Sequence, residues 1–328
     1  MATEDKKTIK VFFVDFWKGF DPENNFFVDR MKLYFQVQIE KQSPDFLFYS
    51  WNGYENLKYT NCVKLYFTGE NDVPDFNLCD YAIGFHHITF ADRYFRLPLF
   101  VLYKCFGQLP VNYADTLDKK VYLDRKFCSF VVSNSQAADP IRDEFFAALS
   151  KYKKVDSGGR HLNNIGYNVP DKQEFISKYK FNIAFENSMV PGYTTEKLHQ
   201  PLAASTIPIY WGNPRVEDDF NKEAFVYVND YATLDQAVAE IIRLDNDDET
   251  YLKKLLQPSF ITGQRDMDAW LESFDNYIQQ VFQNDVPDAK RLPMFGYSAF
   301  YRKRRKVVEF ICRLPGLKYL IRKVSYNS

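Results

Sequence analysis

Among thirteen glycines the 328-residue chain has no G-x-G-x-x-G and no G-K-[ST], so neither a standard dinucleotide fingerprint nor a P-loop is present. A G-x-S-x-G nucleophile elbow is also missing. Histidine is scarce, with four residues: His86, His87, His161 and His199. The first two are adjacent rather than at ligand spacing, so they read as loop residues and no metal site is expected there. The five cysteines form no C-x-x-C pair, and their odd number argues against a disulfide framework. No apolar run reaches the ~18 residues of a spanning helix. The opening M-A-T-E-D-K-K is too polar for a signal peptide, so the expectation is a cytoplasmic, reduced protein.

What the chain does have is apolar residues at 46% and aromatics at 18%, enough for well-filled cores. Its length suits about two domains at ~150 residues each. The net charge of −1 conceals an uneven distribution. From Tyr301 onward there are nine Lys/Arg against the single acid Glu309, so this tail carries +8 and the remainder −9. Apolar residues such as Val307, Phe310, Ile311 and Leu314 interleave with the cations, and Pro315 and Gly316 would split the tail into two amphipathic pieces. That composition suits an anionic membrane surface, which makes peripheral membrane association an expectation. No nucleic-acid partner is expected.

Apolar runs predict strands over 9–16, 46–50, 63–68 and 80–85, with a helix over 25–35. A second series predicts strands over 129–133, 181–186, 207–211 and 224–228. Its helices are predicted over 139–151, 171–178, 195–204, 234–244, 249–256 and 267–282. Such alternation implies parallel sheets covered on both faces. The domains then divide as 1–122, 123–300 and a tail, 301–328.

Residues 185–197, F-E-N-S-M-V-P-G-Y-T-T-E-K, raise the sharpest question, because they follow a strand and lead into a helix. Helix N-termini present free N–H groups and partial positive charge, which suits phosphates. Lys197 in that first turn is locally disfavoured unless an anion offsets it, and Arg142 at another helix start poses the same problem. On the residues alone, the stretch could equally be a surface loop with a capped helix, and either cation a solvated charge. The two Asp-x-Asp triplets, Asp245 with Asp247 and Asp266 with Asp268, precede helices and read as N-caps rather than metal ligands.

Three linked segments decide between these readings: Y-K-F-N-I-A-F-E-N-S at 179–188, G-Y-T-T-E-K at 192–197 and T-I-P-I-Y-W-G at 206–212. Together they resemble the signature of the α1,3-fucosyltransferases, glycosyltransferase family 10, especially the bacterial ones. The likeness extends through F-T-G-E-N at 67–71, P-D-F-N-L-C-D-Y-A-I-G-F at 74–85, F-A-D-R-Y-F-R-L-P at 90–98, Ser133-Asn134, P-I-R at 140–142 and S-G-G at 157–159. The resemblance implies an α/β protein of the GT-B class, with two Rossmann-like domains facing a cleft. The first would bind the acceptor and the second GDP-fucose.

It further implies inverting transfer of L-fucose from GDP-fucose to an N-acetyllactosamine- or lactose-type acceptor. No cofactor would be required, and a divalent metal would be at most stimulatory. Carried over residue by residue, Glu70 is the general base, with Glu196 or Asp92 as the fallback. Arg142 and Lys197 contact the diphosphate, and Asn187, Tyr193 and Glu196 contact nucleotide or fucose. Two other readings stand beside it: a GT-B transferase using another GDP-sugar, and an inactive membrane-associated nucleotide-sugar- or glycan-binding protein. The sequence departs from the family pattern at His86 and His87, where many bacterial relatives carry acids, and at Pro201, inside the predicted helix. It also lacks the C-terminal heptad repeats of some relatives.

Overall fold

The computed structural model describes residues 6–103, 107, 109, 118–133, 138–261 and 263–312. The chain forms two compact units. One comprises Met1–Gly84, Ile88–Leu97 and Glu272–Ser328; the other comprises Phe85–His87 and Pro98–Leu271.

The first unit is built on a six-stranded sheet: β1 Thr8–Val14, β2 Gln36–Ile39, β3 Phe46–Tyr49, β4 Val63–Phe67, β5 Tyr81–Gly84 and β6 Tyr94–Arg96. All pairs are parallel, in the order β2-β1-β3-β4-β5-β6. Every residue of β3, β4 and β5 is buried, as strands covered on both faces require. β2, at an edge, alternates exposed and half-buried residues, and so gives no apolar run for a sequence reading to find. Helix α1, Phe26–Lys32, starts where Asn25 Oδ1 accepts the Val28 N–H at 3.1 Å.

The second unit is again all parallel, in the order β11-β10-β9-β7-β8. Its strands are β7 Lys126–Phe130, β8 Val155–Ser157, β9 Tyr179–Phe185, β10 Ile207–Trp211 and β11 Val226–Tyr227. Its helices are α2 Lys119–Leu123, α3 Ile141–Ser150, α4 Lys172–Ile176, α5 Glu196–Ala203, α6 Leu234–Asn246, α7 Asp248–Leu255 and the start of α8, Met267–Phe282. β9 is buried along its whole length. Phe130, Phe145, Phe181, Phe185, Ile209, Ile241 and Tyr251 fill the core around it. Each such side chain contributes ~1.5–3 kcal/mol through burial. The polar members of β9 are satisfied too, since Asn182 Nδ2 donates to Ser129 Oγ at 2.9 Å.

Within α8 the chain returns to the first unit, where α9, Val286–Ala289, and α10, Tyr297–Cys312, follow. Residues 272–300 therefore sit with the first sheet, not with the second domain as the sequence reading placed them. The reason is tertiary. Phe282 packs on Phe46 with centroids 4.4 Å apart, Asp275 pairs with Arg30, and the Arg291 N–H donates to Asp80 Oδ1 at 2.8 Å. The basic tail is helical from Tyr297 to Cys312; the expected break at Pro315 and Gly316 lies outside the described residues.

One aspartate of each Asp-x-Asp triplet serves as a cap. Asp247 Oδ1 accepts the Thr250 N–H at 3.0 Å to start α7, and Asp266 Oδ1 accepts the Ala269 N–H at 2.9 Å near the start of α8. Asp245 differs from that expectation. It lies buried in the last turn of α6, bonded by Tyr152 Oη at 3.0 Å and paired with Lys153.

Candidate active site

Open α/β sheets bind ligands beyond the carboxyl ends of their strands, where the strand order reverses. In the second sheet that point lies between β7 and β9. β9 runs directly into Glu186 and Asn187, and the helices α3 and α5 carry Arg142 and Lys197 in their first turns.

Glu186 is fully buried and organises the loop that follows it. Its Oε1 accepts the Thr195 N–H at 2.7 Å. Its Oε2 accepts the Thr195 hydroxyl at 2.8 Å and the Lys197 ammonium at 3.2 Å. Thr195 in turn caps α5, its hydroxyl accepting the Lys197 N–H at 3.4 Å. Burial raises the Glu186 pKa, and Lys197 opposes that rise. For Lys197, burial works against the charge, but Glu186 and Glu196 outweigh it and hold the ammonium protonated well above the ordinary lysine range. The charge of Lys197 at a helix start is thus offset by a protein carboxylate. The sequence reading had left that role to a bound diphosphate.

Glycine makes this packing possible at two positions. Gly212, at φ +153°, lies against Glu186, where a Cβ would come within 2.6 Å of Cγ. Gly192, at φ +87°, would put a Cβ 2.3 Å from the Phe85 carbonyl oxygen. Buried Asn213 ties the loop down from the other side. Its Oδ1 accepts the Gly192 N–H at 2.7 Å, and its Nδ2 donates to Thr194 Oγ1 at 3.0 Å.

Arg142 is turned inward and is only 1% exposed. Its Nη2 donates to Asn187 Oδ1 at 2.7 Å and to the Glu186 carbonyl at 3.3 Å. The Asn187 carbonyl accepts the Asp139 N–H at 2.9 Å, so the approach to α3 and the end of β9 are locked together. Burial lowers the Arg142 pKa from its usual value.

Glu196 lies 3.5 Å from Lys197 Nζ and accepts the Tyr103 hydroxyl at 3.3 Å. Burial alone would raise its pKa, but Lys197 and Lys172 bring it down to about 2. Tyr193 is buried in the same loop, its ring 5.1 Å from that of Phe85. Pro201 sits inside α5 as the sequence requires. It gives no N–H to the Lys197 carbonyl, and the helix ends two residues later at Ala203.

Arg142, Asn187, Glu196 and Lys197 are therefore brought to one sheet end, with Tyr193 in the intervening loop. Glu70 belongs to the other unit. It is exposed in the turn after β4, its N–H donating to Thr68 Oγ1 at 3.0 Å. Asn134, matched by resemblance, lies outside the described residues. The sequence reading missed Glu186 and Asn213. A carboxylate directly after the apolar end of β9, Ile183–Phe185, was the available signal for the first; nothing in the local pattern marked the second.

Comparison with known proteins bears on this arrangement. Residues 11–103 match the family model described as "Alpha-(1,3)-fucosyltransferase FucT N-terminal domain". Residues 122–256 match "Glycosyltransferase family 10 (fucosyltransferase) C-term". The chain is 40% identical over 231 residues to the α-(1,3)-fucosyltransferase FucT of Helicobacter pylori, covering 61% of this chain and 48% of that protein. It thus spans about half the length of that curated relative. A crystal structure of an α1,3-fucosyltransferase with GDP is 31% identical, with a TM-score of 0.74, covering 87% of this chain and 93% of the other. A structure of an α1,3-fucosyltransferase with GDP-fucose is likewise 31% identical, with a TM-score of 0.71, covering 85% and 93%.

Proposed function

This chain belongs to glycosyltransferase family 10, the fucosyltransferases, and has the GT-B class of α/β fold; from that premise we propose that it transfers L-fucose from GDP-fucose to the 3-hydroxyl of GlcNAc. The acceptors in this reading are N-acetyllactosamine-type glycans, and the products are of the Lewis type. The observation that supports it most is the convergence of Arg142, Asn187, Glu196 and Lys197 at the switch point of the second sheet, held by buried Glu186.

In the reaction, the acceptor oxygen forms a bond to the fucose anomeric carbon. The bond from that carbon to the β-phosphate oxygen breaks, with inversion. GDP leaves with the bonding pair, its growing charge stabilised by Lys197 and Arg142. The acceptor proton passes to the Glu70 carboxylate. Asn187, Tyr193 and Glu196 orient nucleotide and sugar. No metal is required in this scheme, in which Arg142 and Lys197 supply the contacts to the diphosphate. The +8 tail holds the enzyme peripherally at an anionic membrane surface. Among the described residues no helix is long and apolar enough to cross a membrane.

The test is donor turnover by the purified chain with lactose or N-acetyllactosamine. GDP-fucose should be consumed only with acceptor present, and GDP-mannose should be left intact. Turnover of GDP-mannose, or tight nucleotide binding without any transfer, would overturn the reading.

A further inference from the structure

The amino-terminal ends of β4 and β5, opposite the end that carries Glu70, border a cavity of about 360 Å³. Five cations line it: Lys64, Lys290, Arg302, Lys303 and Lys306. Lys64 projects from β4 itself and is only 7% exposed, its Nζ donating to the Asn56 carbonyl at 2.7 Å. Burial brings its pKa down to about 8, and the nearby charges of Lys306 and Arg302 push the same way.

Among the described residues Asp80 is the one carboxylate lining the cavity, and both its oxygens are engaged by backbone donors. Oδ2 accepts the Lys64 N–H at 2.8 Å, while Oδ1 accepts those of Arg291 at 2.8 Å and Leu292 at 2.7 Å. Asp80 therefore sets the backbone, and the cationic wall exceeds it by four charges. Such a wall stabilises a bound anion and is itself destabilised by mutual repulsion without one.

The rest of the lining is mostly apolar, with Leu57, Leu78 and Leu292 beside the polar Thr60 and Asn61. Met294 lines it as well and is 80% exposed, and beside it Phe295 is 82% exposed. On α10, Val307, Val308 and Phe310 are also exposed. Large apolar side chains held in water beside a cationic cavity suit an amphiphilic anion better than a free one.

We propose that this cavity binds the phosphate group of an anionic phospholipid, with Met294 and Phe295 resting at the acyl boundary. The assignment rests on the membrane reading above and sharpens it, replacing diffuse attraction by a site of defined geometry.

The experiment uses the full chain and phosphatidylcholine vesicles with and without phosphatidylglycerol, read by co-sedimentation. Lys306→Ala and Arg304→Ala each remove one charge from exposed, near-adjacent positions of α10. Of the two, only Lys306 lines the cavity, while Arg304 sits over the Phe300 ring. Diffuse attraction would cost about fivefold in affinity for either change. The site predicts a loss of about tenfold or more for Lys306→Ala, as for a charge-assisted contact, and at most about fivefold for Arg304→Ala. Equal losses would overturn the site while leaving the membrane reading standing. Absence of any binding to phosphatidylglycerol vesicles by the unaltered chain would overturn both. A soluble source is tested with inorganic phosphate. If it raises the melting temperature of the unaltered chain but not of Lys306→Ala, and vesicles do not bind, the cavity serves a soluble phosphate and the lipid assignment fails.

Discussion

Lys197→Ala separates the ion pair that the structure shows from the diphosphate contact proposed for the same side chain. The ammonium lies 3.2 Å from a carboxylate that is wholly buried, and its own side chain is only 16% exposed. Removing it leaves Glu186 without its ion-pair partner, which typically costs ~3–5 kcal/mol when a buried pair is broken from one side. It also removes a charge-assisted contact proposed for the diphosphate, worth ~1.5–3 kcal/mol, or about tenfold to a hundredfold in GDP affinity. Urea unfolding reads the first loss and calorimetry the second.

The double variant Lys197→Ala with Glu186→Gln distinguishes them. Glutamine can still accept the Thr195 N–H through its amide oxygen and donate from its amide nitrogen to the Thr195 hydroxyl, and it carries no charge to strand. Stability should return most of the way, while GDP affinity stays low. If GDP binding returned together with stability, Lys197 would be a scaffold residue and the proposed diphosphate contact would be wrong.

Glu70→Gln keeps the shape of the side chain but removes the base, so kcat should fall by roughly 10²–10⁴-fold with KM little changed. Its GDP affinity should stay that of the unaltered chain; an intact kcat with a raised acceptor KM would make Glu70 a binding residue. His199, fully buried, has its pKa lowered from 6.5 to about 4 by desolvation. The unfolded chain therefore binds the extra proton between those values, and stability present above pH 6.5 is lost as the pH falls to about 4. The loss is about 3 kcal/mol, and His199→Gln should flatten that part of the urea-unfolding profile; an unchanged slope would assign it elsewhere. Fucosyl transfer should persist in EDTA, whereas complete loss restored by Mn²⁺ would mean the diphosphate site is mis-assigned.

Much of the fold was legible because parallel strands buried on both faces leave predominantly apolar runs. β10 was predicted over the same residues the structure shows, and β3, β4 and β9 were displaced by no more than two at either end. β2, β6 and β8 were missed for the converse reason: they are three or four residues long and not continuously buried. The return of α8 to the first unit was illegible, since it depends on Phe282 and Asp275 meeting residues more than two hundred positions earlier. At the site, linked motifs pointed to 185–197, and the structure gathers Arg142, Asn187, Glu196 and Lys197 there. Their mutual arrangement could not be read. Glu186 and Lys197 are eleven residues apart across an irregular loop, and no periodicity brings such positions together. The inward turn of Arg142 was hidden likewise, because a helix start looks the same in sequence whether its cation faces water or Asn187.

The most direct measurement is NMR of the product formed from GDP-fucose and N-acetyllactosamine by the purified chain. The predicted result is a single fucose, α-linked to O3 of GlcNAc, formed in step with GDP release. A product fucosylated at another position or with the opposite anomeric configuration would contradict the proposed α1,3 transfer. So would release of GDP into water with no glycan product.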